Sequence, residues 1–168
     1  MSFYHEIRWN LKFLLSTPTV PILTSHRLAG PYQTPARHVE VHGVITNKPP
    51  AGAYRGAGGP EAAFCLERTI NLIARDLQLA PAAVRRSNFI PPDAFPYETP
   101  TGLSYDSGQY ARTLDRALEL AAYHYWRAQS RQPGVPGAPL MGVGLATVVK
   151  GSGGRGPRLT DYARVIIG

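Results

Sequence analysis

The stretch Gly52–Pro60, GAYRGAGGP, places one cation, Arg55, among four glycines and directly ahead of a helical pattern. Glycines let a backbone approach a ligand closely and adopt positive φ. The free N–H groups of a helix's first turn, with the helix dipole, favour an anion or an oxo group. A guanidinium adds a fixed fork of donors. The chemistry this combination suits is the cradling of an anion. It is not a Walker loop, because no Gly-Lys-Ser/Thr follows. It is not a dinucleotide fingerprint either, because G-x-G-x-x-G is absent and Pro49-Pro50 breaks the preceding strand. An ordinary tight turn suits the same residue types equally well.

The other chemistry-bearing residues are more scattered. Glu61, Glu67, Asp76 and Glu98 are the candidate general bases of the region. Glu61 falls in a first helical turn, where the dipole explains it. Glu67 and Asp76 read as solvated helix charges and Glu98 as a loop charge. His5, His26, His38, His42 and His124 show no ligand spacing, His38 and His42 lying four apart on an apparent strand. No metal site is expected from these side chains. Cys65 is the only cysteine, so an internal disulfide, a cysteine-ligated iron–sulfur cluster and a multi-cysteine zinc site are excluded within the chain. Lying inside a helical pattern, Cys65 reads as a buried structural thiol.

Certain elements must position the loop. HVEVHGVIT reads as a strand with Val39, Val41 and Ile45 on one face, ended by Pro49-Pro50. PEAAFCLERTINLIARDLQLA is the clearest helix. Pro60 suits its first position, and Ala63, Leu66, Ile70, Ile73 and Leu77 form an apolar stripe. A short second helix is expected over PAAVRRSN. The stretch from Phe89 to Gly108, with Pro91, Pro92, Pro96 and Pro100, cannot be one regular element. Its Phe, Tyr and Ile residues predict a loop packed across another surface. One long helix is expected over YARTLDRALELAAYHYWRAQS, capped by Asp106 or Ser107, with a stripe of Leu114, Leu118, Ala121 and Tyr125. LMGVGLATVVKG and DYARVIIG read as two strands, and residues 1–22 carry weak signals. The class is α+β: two main helices with short strands and long proline-rich loops.

Composition bounds the function. The 168 residues suit one domain, and 43% apolar residues suit a globular chain. The net charge of +7 could draw nucleic acid or an acidic partner. The Lys and Arg residues are scattered, however, with only Arg85 and Arg86 adjacent, and no nucleic-acid tail is present. A basic nucleic-acid-binding module would explain the charge but not the motifs. No segment approaches the roughly 20 apolar residues of a membrane span. No secretory pattern opens the sequence, and a cytoplasmic location is expected.

GAYRGAGGPEAAFCLER, followed by RRSNFIPPDAFPYETPTGLSYDSGQY and preceded by LAGPYQTPARHVEVHGVITNKPP, closely resembles the molybdopterin-binding large subunit of the molybdenum hydroxylases. These are the xanthine dehydrogenase, aldehyde oxidase and aerobic carbon monoxide dehydrogenase family. The resemblance runs from about Leu28 to the C-terminus. It implies a partial molybdopterin-binding domain over 23–168, with an atypical segment over 1–22. It also implies a molybdenum–molybdopterin cofactor in the cytosine dinucleotide form. Ala53, Tyr54, Arg55 and Gly56 would lie against the metal centre, with Arg55 supplying charge and orientation. Ala57 would border the substrate pocket. Purine-oxidising members carry a phenylalanine there, and alanine would remove a stacking partner worth roughly 1 kcal/mol. The carbon monoxide dehydrogenases carry a copper-binding cysteine in this loop, and YRGAGG has none.

The resemblance further implies hydroxylation of an aldehyde or N-heterocycle with water as oxygen source. The partners would be the remainder of a large subunit plus iron–sulfur and FAD subunits. The family's catalytic glutamate and its GQG cofactor loop have no counterpart here, so no complete catalytic set is expected. A truncated gene fragment without independent activity is the alternative.

Overall fold

A computed structural model describes residues 2–11, 19–45, 47, 52–130, 141–151 and 164. The chain opens with a strand, β1 (Ser2–Leu11), where weak signals were expected. It is followed by helix α1 (Thr19–Arg27) and strand β2 (Ala36–Ile45). The two strands pair in parallel, without a bulge, from Ser2↔Ala36 to Leu11↔Ile45. Parallel neighbours need a crossover of a dozen residues or more, usually helical, and α1 lies in that connection. Neither Val39 nor Val41 is fully buried, and Val41 and Val44 face solvent.

Helix α2 (Gly59–Asp76) begins within a residue of its expected start, with Pro60 inside its first turn. Its inner face is turned slightly from the expected stripe. Ala62, Leu66, Ile70 and Ala74 are buried, Ala63 and Ile73 are half-buried, and Leu77 is exposed. Leu66 and Ile70 each contribute about 1.5–3 kcal/mol by leaving water. Helix α3 (Pro81–Asn88) starts at its proline, as PAAVRRSN predicts.

The proline-rich stretch is irregular, with one 3-10 turn (Pro92–Ala94) and a two-residue ribbon of β3 (Tyr97–Glu98) and β4 (Ser104–Tyr105). It packs across α1, as expected. Thr101 Oγ1 donates to the His26 carbonyl at 2.5 Å, and His26 Nδ1 meets the Thr101 carbonyl at 2.6 Å.

The expected long helix is instead two, α4 (Tyr110–Leu120) and α5 (Tyr123–Gln129). Ala122 lies in the left-handed region at φ 45° and breaks the helix. The break turns Tyr123 inward to 6% exposure, while Ala121 and Tyr125 stay in solvent. The expected caps also fail. The helix starts after Gln109, and Asp106 Oδ1 accepts the adjacent Ser107 N–H, at 2.8 Å.

Residues 141–151 form no strand among the described residues. Their exposure still alternates, with Val143, Leu145, Thr147 and Val149 half-buried. Apart from Arg164, the expected DYARVIIG strand lies outside the described residues. The core gathers Tyr32, Leu66, Ile70, Phe89, Leu114, Leu118 and Tyr123, with Val143 and Leu145 packed on it. The architecture is α+β, as expected, with five helices among the described residues.

Candidate functional site

The glycine loop is a tight double turn feeding α2. Ala57 N–H donates to the Tyr54 carbonyl at 2.8 Å and Gly59 N–H to the Gly56 carbonyl at 3.0 Å. Gly56 and Gly58 have φ of +89° and +77°, the left-handed region that glycine tolerates. Gly58 also has a packing reason. A Cβ there would stand 2.6 Å from the backbone nitrogen of Thr24, so α1 rests directly on the loop. At Gly56 the nearest atom to such a Cβ is Pro60 Cδ, at 3.4 Å.

A second arginine, absent from the sequence-level candidates, fixes the loop. Arg27, in the last turn of α1, donates from Nη1 to the Gly56 carbonyl at 2.8 Å and also to the Ala57 carbonyl. Arg55 makes no hydrogen bond or ion pair among the described residues. It borders a cavity of about 320 Å³ beside the N-terminus of α2. Arg27, Arg55 and Lys150 all line this cavity, with Gly30, Gly56 and Gly59, and no carboxylate among the described residues does. Among the expected site residues, Arg55 and Gly56 reach it. Ala53 and Tyr54 are exposed, Tyr54 at 87%, and the half-buried Ala57 is not part of its wall.

Glu67 is the main correction. It is not a solvated helix charge but 4% exposed, paired with the fully buried Arg85 of α3. Its Oε2 accepts Arg85 Nη2 at 2.7 Å, Arg85 Nε at 3.0 Å and the Thr147 N–H at 2.7 Å. Its Oε1 accepts the Tyr32 hydroxyl at 2.5 Å and the Thr147 hydroxyl at 3.1 Å. Burial, reinforced by the bond to Glu67, pushes the Tyr32 hydroxyl above the usual tyrosine range. Arg85 also donates to Asn71 Oδ1, the Pro81 carbonyl and the Leu145 carbonyl, at 3.1, 3.0 and 2.9 Å. A charge falling on an otherwise apolar helix face was the signal for this pair. Glu67 adjoins Leu66, and Arg85 follows Ala82 and Val84.

The remaining candidates stand apart from the loop's cavity. Cys65 is exposed, not a buried thiol, because it sits on the outer side of α2 beside the 73% exposed Phe64. Asp76 is an exposed partner of Arg75, and Glu98 is exposed in β3. Glu61 Oε2 is shielded and has no hydrogen-bond partner among the described residues. His38 and His42 flank Glu40 on one face of β2, at 3.0 and 3.2 Å. No three His, Cys, Asp or Glu side chains among the described residues are placed to hold a metal ion. No described helix is long and apolar enough to cross a membrane.

Residues 12–89 match the molybdopterin cofactor-binding domain. The carbon monoxide dehydrogenase large chain of Hydrogenophaga pseudoflava is 39% identical over 144 residues, which are 83% of this chain and 18% of that protein. The nicotine 6-hydroxylase large subunit of Paenarthrobacter nicotinovorans is 30% identical over 124 residues, 74% of this chain and 15% of that one. Quinoline 2-oxidoreductase from Pseudomonas putida 86 superimposes with a TM-score of 0.65 at 27% identity, over 77% of this chain and 16% of that chain. A glycine loop at a helix N-terminus, walled by cations, is thus set in the fold of a molybdopterin-binding domain. The chain belongs to the molybdopterin-binding large-subunit family of the molybdenum hydroxylases. It spans under a fifth of the length of the relatives it matches.

Proposed function

We propose that the loop at Ala53–Gly56 holds part of the anionic molybdenum–molybdopterin group, in its cytosine dinucleotide form, within a hydroxylase of aldehydes or N-heterocycles. The observation that carries this is the cavity beside the N-terminus of α2, lined by Arg27, Arg55 and Lys150 and by no carboxylate among the described residues. Its donors suit an anion, and about 320 Å³ is the size of a small-molecule subsite, with room for part of a cofactor. The residues therefore fit the group. When bound, that group supplies the two-electron redox chemistry of the hydroxylation.

The chain's own residues bind and orient. Arg27 holds the loop's carbonyls, so the loop keeps its shape without using Arg55. Arg55 is left to meet the anion. Ala57 leaves open the space that a larger side chain would fill, and forms part of the substrate's surroundings. The names of the nicotine- and quinoline-directed relatives support an N-heterocyclic substrate, and the loop's lack of cysteine argues against a copper-assisted centre. The rest of the large subunit and separate iron–sulfur and FAD subunits complete the cytoplasmic enzyme.

The test is the pterin and molybdenum content of the full chain purified from a host that makes the cofactor. The unaltered protein is expected to retain pterin. Arg55→Met removes a charge-assisted contact worth about 1.5–3 kcal/mol and is expected to lower retention at least tenfold. Pterin no higher than on an unrelated protein purified alongside would refute the proposal.

A further inference from the structure

Residues 141–151 make no ladder among the described residues, yet they reach the wall of the cationic cavity at Lys150. Their attachment is concentrated at one place. Thr147 N–H and Oγ1 donate to the two oxygens of Glu67, at 2.7 and 3.1 Å. Thr147 Oγ1 also meets the Tyr32 hydroxyl at 2.8 Å, and the Leu145 carbonyl accepts Arg85 Nη2 at 2.9 Å. All four bonds end on one buried cluster.

We propose that the Glu67–Arg85 pair is a latch that holds residues 145–149 across α2 and α3, and thereby sets Lys150 in the anion cavity that Arg55 also lines. The proposal rests on reading that cavity as an anion site. Glu67 and Arg85 are positioning residues on this account, and Lys150 is the contact they place. The chemistry of the pair supports the role. Apolar residues of equal volume often stabilise a core as well as a buried ion pair does. They could not accept the Thr147 N–H or donate to the Leu145 carbonyl. Both Glu67 oxygens are engaged by the segment as well as by the core. Lys150 lies three steps along the chain from Thr147, and an extended chain advances about 3.3 Å per residue. The latch therefore confines the Lys150 backbone to within about 10 Å of Thr147.

The experiment uses the full chain and two readouts: amide hydrogen exchange of Thr147 relative to Ile70 in α2, and calorimetric titration with inorganic pyrophosphate. Glu67→Gln is expected to speed Thr147 exchange at least tenfold relative to Ile70 and to weaken pyrophosphate binding at least fivefold. Lys150→Met is expected to weaken binding similarly with Thr147 exchange unchanged. Should Glu67→Gln not fold, the double variant Glu67→Leu/Arg85→Met leaves no unpaired buried charge and is expected to show the same two changes. The latch is overturned if Thr147 keeps pace with Ile70 in the folded variant. It is equally overturned if pyrophosphate affinity is the same in the unaltered chain and either altered one, which includes no binding at all. Pterin content is measured separately, so retained pterin with either of these results refutes the latch alone.

Discussion

Removing Arg85 while leaving Glu67 should be among the most damaging single changes in this chain, and a double variant should expose the cause. Arg85→Met keeps the length of the buried stem but leaves a 4% exposed carboxylate without its cation. Breaking a buried pair in this way costs about 3–5 kcal/mol. The structure points to the lower end, because the Tyr32 hydroxyl and the N–H and hydroxyl of Thr147 still serve the carboxylate. The variant should therefore lose about 3–4 kcal/mol. Domains of this kind are stable by only about 5–15 kcal/mol, so the shift is large. Urea unfolding, with the slope checked for two-state behaviour, measures it. Glu67→Leu/Arg85→Met should recover much of the loss. A penalty under about 1 kcal/mol, or a double variant no better than the summed single ones, would each refute the reasoning.

Two further outcomes follow from the loop and from the buried phenols. Gly56→Ala should cost about 1–2 kcal/mol from its positive φ alone. Gly58→Ala should cost at least about 1 kcal/mol more, because its Cβ meets the Thr24 backbone at 2.6 Å. Equal urea midpoints for the two variants would show that α1 does not rest on the loop. Burial pushes Tyr105 up to about 12 and also raises Tyr32 and Tyr110. The raised groups favour folding while protonated, so stability should fall from pH 10, where unfolded phenols ionise, to pH 12. Arg37, lowered by burial to about 10, acts in the opposite direction over that range and moderates the fall. Urea midpoints alongside absorbance of the ionised phenolate test this, and a midpoint unchanged from pH 9.5 to 11.5 would refute it.

Sequence reveals local punctuation well and long-range partners poorly, and particular residues show why. The loop, the start of α2 and the start of α3 are legible because Gly56, Gly58, Pro60 and Pro81 act within a turn of their own position. Strand β1 carried a usable signal, since Phe3, Ile7, Trp9 and Leu11 alternate with Tyr4, Glu6, Arg8 and Asn10. Charges that break an apolar run are natural in a strand of period two. The helix break at Ala122 has no local mark, because two alanines favour continuation. It is a tertiary effect that brings Tyr123 to the core. Glu67 and Arg85 lie 18 residues apart, and their partner Thr147 lies 80 residues beyond Glu67. Composition and spacing do not encode that meeting. Only the placing of charges on apolar faces hinted at it.

The same distinction separates the two arginines of the loop. Sequence singled out Arg55 for sitting among glycines, but a cation there could equally have been the clasp that holds the turn. The clasp is Arg27, bonded to the Gly56 and Ala57 carbonyls from α1. The glycines divide in the same way, Gly58 being required by packing against Thr24 and Gly56 by the turn's positive φ at the cavity. With the loop's shape secured by these other residues, the exposed Arg55 takes no part in holding the turn. Arg55 and Lys150 have no ion pair among the described residues, and the cavity they share has no carboxylate among the described residues of its wall. Bringing like charges together opposes folding unless something of opposite sign enters. That concentration of positive charge is what supports the proposed anion site.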